Sequence, residues 1–135
     1  MASFKEASDP ITIVLADDHT VMRRGLRMLL QAEPGFDVVA EAGHILAALQ
    51  QVRGHRPDVL VLDLNMPGGS SVDAIKRLKI FASSTAVVVL TMEHDSSFVR
   101  EAHAAGAVGY VLKDAAETQL VAAIRRAAGR LPPDP

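Results

Sequence analysis

The 135-residue chain has no cysteine and no tryptophan, and aromatic residues make up only 4% of it. Without thiols there is no disulfide framework, no thiolate metal site and no cysteine nucleophile, a composition that suits a reducing compartment. So few rings leave no platform on which bases or sugars could stack. Neither sign of charge dominates: 14 Lys and Arg stand against 16 Asp and Glu, a formal net charge of −2. That balance excludes a broadly basic nucleic-acid binder and an acidic disordered tail. Apolar runs are short, Ala86 to Leu90 being typical, and none approaches the roughly 20 residues of a membrane span. Residues 1–10 include Lys5, Glu6 and Asp9 and hold no apolar stretch. They cannot act as a signal peptide and are expected to form an N-terminal extension. The chain is therefore expected to be cytoplasmic, with no membrane contact.

What the chain does have is apolar content for a core: 49% of its residues are hydrophobic. A chain of this length buries about two-thirds of its unfolded surface and needs no staple, so one domain is expected. Apolar runs alternate with amphipathic segments. Ile11–Ala16 is β-rich and nearly continuous, as a strand buried on both faces should be. Val21, Met22, Leu26, Leu29 and Leu30 then recur at helical spacing up to Gln31. Strands are predicted at 36–41, 58–63, 85–91 and 108–112. Ile45 to Val52 reads as a helix stopped by Gly54. Ser70 or Ser71 can cap a helix running to about Lys79, and Asp95 or Ser96 one that ends at Gly106. Asp114 is expected to begin the last helix, with Glu117 completing a capping box; Leu120, Val121 and Ile124 form its inner stripe and Gly129 stops it. Five βα units of this kind imply an α/β domain over 11–129, a parallel sheet with helices on both faces. Residues 130–135, rich in proline, read as the start of an interdomain linker.

In open parallel sheets the working site lies beyond the carboxyl ends of the strands, so the residues just after each strand carry the most weight. The first strand runs into Asp17-Asp18, the third ends in Asp63, the fourth ends in Thr91 and the fifth is followed by Lys113. Any one of these is ordinary as a helix cap or a solvated charge; all five share one edge. Carboxylates gathered so closely repel one another unless they share a cation. A hard divalent ion such as Mg²⁺, held by oxygen ligands and keeping exchangeable water, fits that need.

Taken with their context, Asp17-Asp18, Asp63-Leu64-Asn65-Met66-Pro67-Gly68, Thr91 and Gly109–Ala115 resemble the signature of two-component response-regulator receiver domains. The stretch from Gly109 and the Leu90-Thr91-Met92 context are most similar to the NarL/FixJ (LuxR-type) subfamily. The resemblance covers about residues 11–128. It implies a doubly wound, flavodoxin-like (βα)5 fold with strand order 2-1-3-4-5. It also implies roles, position by position. Asp63 is the phosphoacceptor. Asp18 ligates Mg²⁺ directly, Asp17 helps through water, and the backbone carbonyl of Asn65 completes the protein ligands. Lys113 pairs with the phosphoryl oxygens, and Thr91 and Tyr110 form the switch pair. A sensor histidine kinase would be the phosphodonor, a phosphorylation-dependent homodimer a possible partner state, and the chain no conventional enzyme, since it catalyses only its own phosphorylation and dephosphorylation. The chemistry agrees independently: one carboxylate suffices to attack phosphorus and form a mixed anhydride, and the rest is positioning and charge neutralisation.

Two other classes are disfavoured. Aspartate-nucleophile phosphohydrolases usually carry a second acid two residues after a nucleophile near the first strand, whereas here the nucleophile candidate follows the third strand and position 65 is Asn65. Unphosphorylated receiver-like modules lack acidic or lysine members of the site, and none is missing. His19, His44, His55, His94 and His103 show no HExxH and no i, i+4 pair, so each is expected to be a surface histidine. His103 stands out, lying on one helical face with Val99 and Ala102. NarL/FixJ-type regulators usually bind DNA through a helix-turn-helix unit after the receiver. Six residues beyond Gly129 cannot hold one. These residues are therefore expected to be a receiver module of a longer transcription regulator that reaches DNA only through a domain not included in them.

Overall fold

The computed structural model describes residues 9–92 and 97–130. The helix cap expected at Asp95 or Ser96, His94, residues 131–135 of the linker expected at 130–135, and residues 1–8 lie outside the described residues. Five parallel strands, β1 (Ile11–Ala16), β2 (Phe36–Ala42), β3 (Val59–Asp63), β4 (Ala86–Thr91) and β5 (Gly109–Leu112), form one sheet in the order β2-β1-β3-β4-β5. Helices α1 (Thr20–Ala32), α2 (Ile45–His55), α3 (Ser71–Phe81), α4 (Ser97–Ala105) and α5 (Ala116–Ala127) connect them.

Strand period two sorts the core into two layers. Ile11, Ile13 and Leu15 of β1, Val59 and Val61 of β3 and Val88 and Leu90 of β4 face one side, where Leu26 and Leu30 of α1 and Leu120 and Ile124 of α5 cover them. Val14, Leu60, Leu62, Val87 and Val89 face the other, under Leu49 and Val52 of α2, Ile75 and Leu78 of α3 and Ala102 of α4. Both faces of the central strands are thus dry, which is why their sequences read as continuous apolar runs rather than alternating ones.

Element ends differ from the sequence expectation by a residue or two in several strands and helices, and three of the differences have a clear physical reason. Helix α2 runs through Gly54 to His55 and ends on Arg56, a non-glycine residue at φ 46°, whose N–H bonds the carbonyl of Val52. Gly54 is tolerated inside a helical turn because burial of Ala48, Leu49 and Val52 outweighs its cost of about 1 kcal/mol. Asp58 precedes β3; its carboxylate accepts from the N–H and hydroxyl of Thr12, tying the starts of β1 and β3 together. The capping box at Asp114 does not form: Lys113–Ala115 is a turn of 3-10 helix and α5 begins after Ala115, with no side-chain cap. Ser70 does cap α3, accepting from the N–H of Asp73 at 3.2 Å. Gly129, at φ 71°, closes α5 as expected, with the N–H of Arg130 reaching the carbonyl of Arg125.

The register fixes what meets at the carboxyl edge. Ala16 pairs with Leu62, so Asp17 and Asp63 emerge side by side. Thr91 pairs with Leu112, so Lys113 emerges beside the end of β4. Between β1 and β3 the strand order changes direction, the switch point at which open α/β sheets leave a crevice.

Candidate functional site

Asp17 and Asp63 are fully buried and Lys113 is 6% exposed. The Lys113 ammonium donates to Asp63 Oδ2 at 2.8 Å and to Asp17 Oδ1 at 3.4 Å. Each buried carboxylate is also tied to its own loop. Asp63 Oδ1 accepts from the N–H of Asn65 at 3.0 Å, and Asp17 Oδ1 accepts from the N–H of His19 at 2.9 Å. Such bonds to the residue two positions on are the reason Asp ends a strand well: they turn the chain while fixing the side chain. Asp18 projects at the exposed rim of the same cluster.

The surrounding elements hold this edge from behind. The hydroxyl of Ser71, the first residue of α3, donates to the carbonyl of Asp63 at 3.0 Å. The N–H of Leu64 bonds the carbonyl of Leu90, keeping the loop after β3 against β4. Pro67 offers its carbonyl to the N–H of Ile45 at the start of α2. Gly68 and Gly69 follow at φ 94° and 135°, and a Cβ on Gly68 would stand 3.5 Å from that N–H. On the β1 side, Arg23 of α1 donates from Nη1 to the carbonyl of Asp17 at 2.6 Å and from Nε to Glu41 of β2 at 3.1 Å. Arg27 also pairs with Glu41.

Among the described residues, Asp17 Oδ2 is the only buried side-chain oxygen or nitrogen without a hydrogen-bond partner. A buried carboxylate oxygen left unpaired is costly. Asp17, Asp18, His19 and Asp63 bring ligand atoms within 4.8 Å of one another. Three carboxylates facing the single ammonium of Lys113 leave a surplus of two negative charges, which one divalent cation balances. An oxygen-rich donor set of this kind, open to solvent at Asp18, fits Mg²⁺.

Of the residues singled out from sequence, Asp17, Asp18, Asp63, Asn65 and Lys113 thus come together. Thr91 is 3% exposed at the end of β4. Tyr110 stands apart on β5, 49% exposed, beside a cleft of about 260 Å³ lined by Val89, Val99, His103, Ala107 and Gly109. His103 borders that cleft from α4, on the exposed side of the buried Ala102. Two histidines expected to be surface bystanders have partners. His44 caps α2, its Nδ1 accepting from the N–H of Ala47 at 3.2 Å. His19 Nδ1 lies 3.2 Å from the ammonium of Lys113. The positions that sequence reasoning passed over are His19, Arg23 and Ser71. Arg23 carried a readable signal: it sits one helical turn after His19, on the turn of α1 nearest the carboxylates.

The response regulator receiver domain family model matches residues 13–125. The nitrate/nitrite response regulator protein NarP of Escherichia coli (strain K12) is 41% identical over 119 residues, covering 88% of this chain and 55% of that protein. The oxygen regulatory protein NreC of Staphylococcus epidermidis is 41% identical over 114 residues, 84% of this chain and 52% of that one. The chain therefore spans about half the length of these curated relatives. The solved signal receiver domain of NarL from Mycobacterium tuberculosis superposes with a TM-score of 0.85 at 30% identity, over 90% of this chain and 98% of that one.

Proposed function

The chain belongs to the response regulator receiver domain family, in its NarL-type branch, and from that premise we propose that Asp63 is its phosphoacceptor and that Mg²⁺-dependent phosphorylation of Asp63 switches the domain. One observation carries the reading: a fully buried carboxylate at the switch point of the sheet, gripped by the Asn65 N–H on one oxygen and the Lys113 ammonium on the other.

A carboxylate oxygen of Asp63 attacks phosphorus, and the bond from phosphorus to a histidine nitrogen of a sensor kinase, or to the oxygen of a small acyl phosphate, breaks. The product is a mixed anhydride. Asp18 and Asp63, with the backbone carbonyl of Asn65, would hold Mg²⁺, and Asp17 would assist through water. When bound, the ion neutralises phosphoryl charge and orients the group for in-line transfer. Lys113 keeps its ammonium against the same oxygens as their charge builds, a preorganised contact that costs no rearrangement at the moment of transfer. Asn65 and Ser71 fix the nucleophile's side chain and backbone. The chain turns over nothing but its own phosphoryl group and is no conventional enzyme.

The new charge then attracts the hydroxyl of Thr91. That shift lets Tyr110 turn into the cleft beside Val89 and Val99, so the α4–β5 face reports the chemical state. Output would run through a helix-turn-helix DNA-binding unit of a longer, cytoplasmic transcription regulator whose receiver spans 11–129, with a phosphorylation-dependent homodimer as its active form. Among the described residues no helix is long and apolar enough to cross a membrane. Incubation with acetyl phosphate and Mg²⁺, followed by intact mass, tests the reading. One added phosphoryl group, lost on hydroxylamine treatment and never formed by Asp63→Asn, is the expected result; equal labelling of Asp63→Asn would remove Asp63 from the role.

A further inference from the structure

His103 shares a face of α4 with Val99 and Ala102, yet it has no part in the function proposed above. It borders the cleft of about 260 Å³ between α4 and β5. Besides Tyr110, the side chains lining that cleft are Val89, Val99, Ala107, Val108 and His103, and of these five only His103 can hydrogen-bond. Tyr110 pairs in register with Val89, and partners in register point to the same side of a sheet. Val89 packs in one core layer with Ala102 of α4, so the Tyr110 ring belongs to the α4 side. The backbone beneath His103 is fixed. Ala102 is buried, and its carbonyl accepts from the N–H groups of Gly106 at 3.1 Å and Ala107 at 2.9 Å. The carbonyl of His103 itself accepts from Gly106 at 3.0 Å. At 49% exposure the Tyr110 hydroxyl can be hydrated. A ring turned into the cleft packs on Val89 and Val99 but takes that hydroxyl out of water, and a buried Tyr O–H without a partner is costly.

We propose that His103 is that partner: its imidazole accepts the hydrogen bond of the Tyr110 hydroxyl when the ring lies inward, and so sets how far the switch runs toward its on form. The proposal rests on the reading that charge at Asp63 turns Tyr110 inward. His103 is a positioning residue, outside the carboxylate cluster, and acts by favouring one of two ring positions. With the ring outward the hydroxyl is hydrated and gains nothing from the imidazole. The bond is therefore made in one state only, which is what biasing an equilibrium requires. His103 is exposed, so replacing it leaves the core of α4 at Ala102 untouched.

Tyr110 is the only tyrosine in the 135-residue chain, so isotope-labelled tyrosine gives a single ring signal by NMR. That signal and the Val99 methyl shifts are recorded in Mg²⁺, with and without saturating beryllofluoride. The proteins are wild type, His103→Leu, His103→Gln, Tyr110→Phe and the double variant Tyr110→Phe/His103→Leu. In wild type, beryllofluoride should bring the ring protons of Tyr110 and His103 into a nuclear Overhauser contact that is absent at rest. His103→Leu should lower the ratio of inward to outward ring roughly threefold to tenfold. His103→Gln, which keeps hydrogen-bonding atoms, should recover most of that loss. In the Tyr110→Phe background there is no hydroxyl to satisfy, so His103→Leu should change the Val99 response by less than about twofold, and the cycle separates the bond from packing. An unchanged inward ratio in His103→Leu, no recovery in His103→Gln, or an equal effect of His103→Leu in the Tyr110→Phe background overturns the assignment. Shifts at Asp18, Asn65 and Lys113 should remain in every variant. Their absence in wild type would count against Asp63 as phosphoacceptor and against the switch that His103 serves. Their presence with no movement of the Tyr110 ring would overturn the role of His103 and leave Asp63 in place.

Discussion

At the carboxyl edge of β1 and β3 nearly every buried polar atom has a partner, whereas across α4 and β5 the packing is thin. Asp63 is held by Asn65, Lys113 and Ser71, and Asp17 by His19, Lys113 and Arg23. On the other side, α4 buries only Ala102, and Phe98, Val108 and Tyr110 are half exposed around an open cleft. Helix α5, 12 residues long against 9 in α4, buries Ala116, Leu120 and Ile124. The contrast separates two tasks. Placing a nucleophile demands fixed geometry, because a misplaced group loses rate steeply. Reporting a new charge demands an element with two arrangements close in energy, which a tightly packed helix does not offer. Thr91 and Lys113 stand between the regions, each at the sheet end of an α4- or α5-linked strand.

The sharpest way to break the contrast is at the edge. Asp63→Asn is nearly isosteric and should keep its far-UV circular dichroism, yet phosphoryl incorporation should fall to background by intact mass. Next in size are the metal ligands. Asp18→Ala should weaken Mg²⁺ binding by roughly tenfold or more, and Asp17→Ala by less, because its proposed contact runs through water. Mg²⁺ titrations followed by NMR would decide the order, and equal affinity of Asp18→Ala and wild type would contradict the ligand assignment.

Stability should split the same way. Leu120→Ala empties a fully buried position between α5 and the sheet and should cost about 2–5 kcal/mol. Val99→Ala, on the loosely packed face of α4, should cost about 1 kcal/mol or less. Urea unfolding of the two variants measures both; similar losses would mean that α4 is packed as firmly as α5. The smallest expected effect lies behind the edge. Arg23→Ala removes the bond to the Asp17 carbonyl and should reduce Mg²⁺ affinity by a few-fold and stability by about 1–2 kcal/mol. Arg23→Lys, which retains a donor, should recover part of the Mg²⁺ loss, whereas a purely structural role would leave Mg²⁺ affinity untouched in both.

Much of this was legible in the chain. Continuous apolar runs marked the five strands because both sheet faces are covered, and polar residues placed immediately after those runs marked the edge. Element ends were harder. Gly54 looks like a stop, but α2 is held by the buried Ala48, Leu49 and Val52, so the turn falls at Arg56 instead. Asp114 and Glu117 have the spacing of a capping box, but Lys113 must reach Asp63, and the backbone makes a 3-10 turn there rather than an N-cap. His19 was hidden for another reason. Its contacts with Asp17, Asp18 and Lys113 depend on the register of β1 against β3 and on the turn into α1, which no local spacing in the sequence reveals.

The central claim is that charge added at Asp63 is felt at the α4–β5 face through Thr91. Amide shifts recorded with Mg²⁺ before and after adding beryllofluoride test it most directly. The account predicts changes at Asp18, Asn65 and Lys113 and, 49% exposed on the far strand, at Tyr110, together with Val99 and Ala102. In Thr91→Ala the changes should persist at the edge and vanish at Tyr110, and in Asp63→Asn neither set should appear. Shifts at Tyr110 and Val99 that survive Thr91→Ala at full size, or that occur without Asp63, would contradict the account.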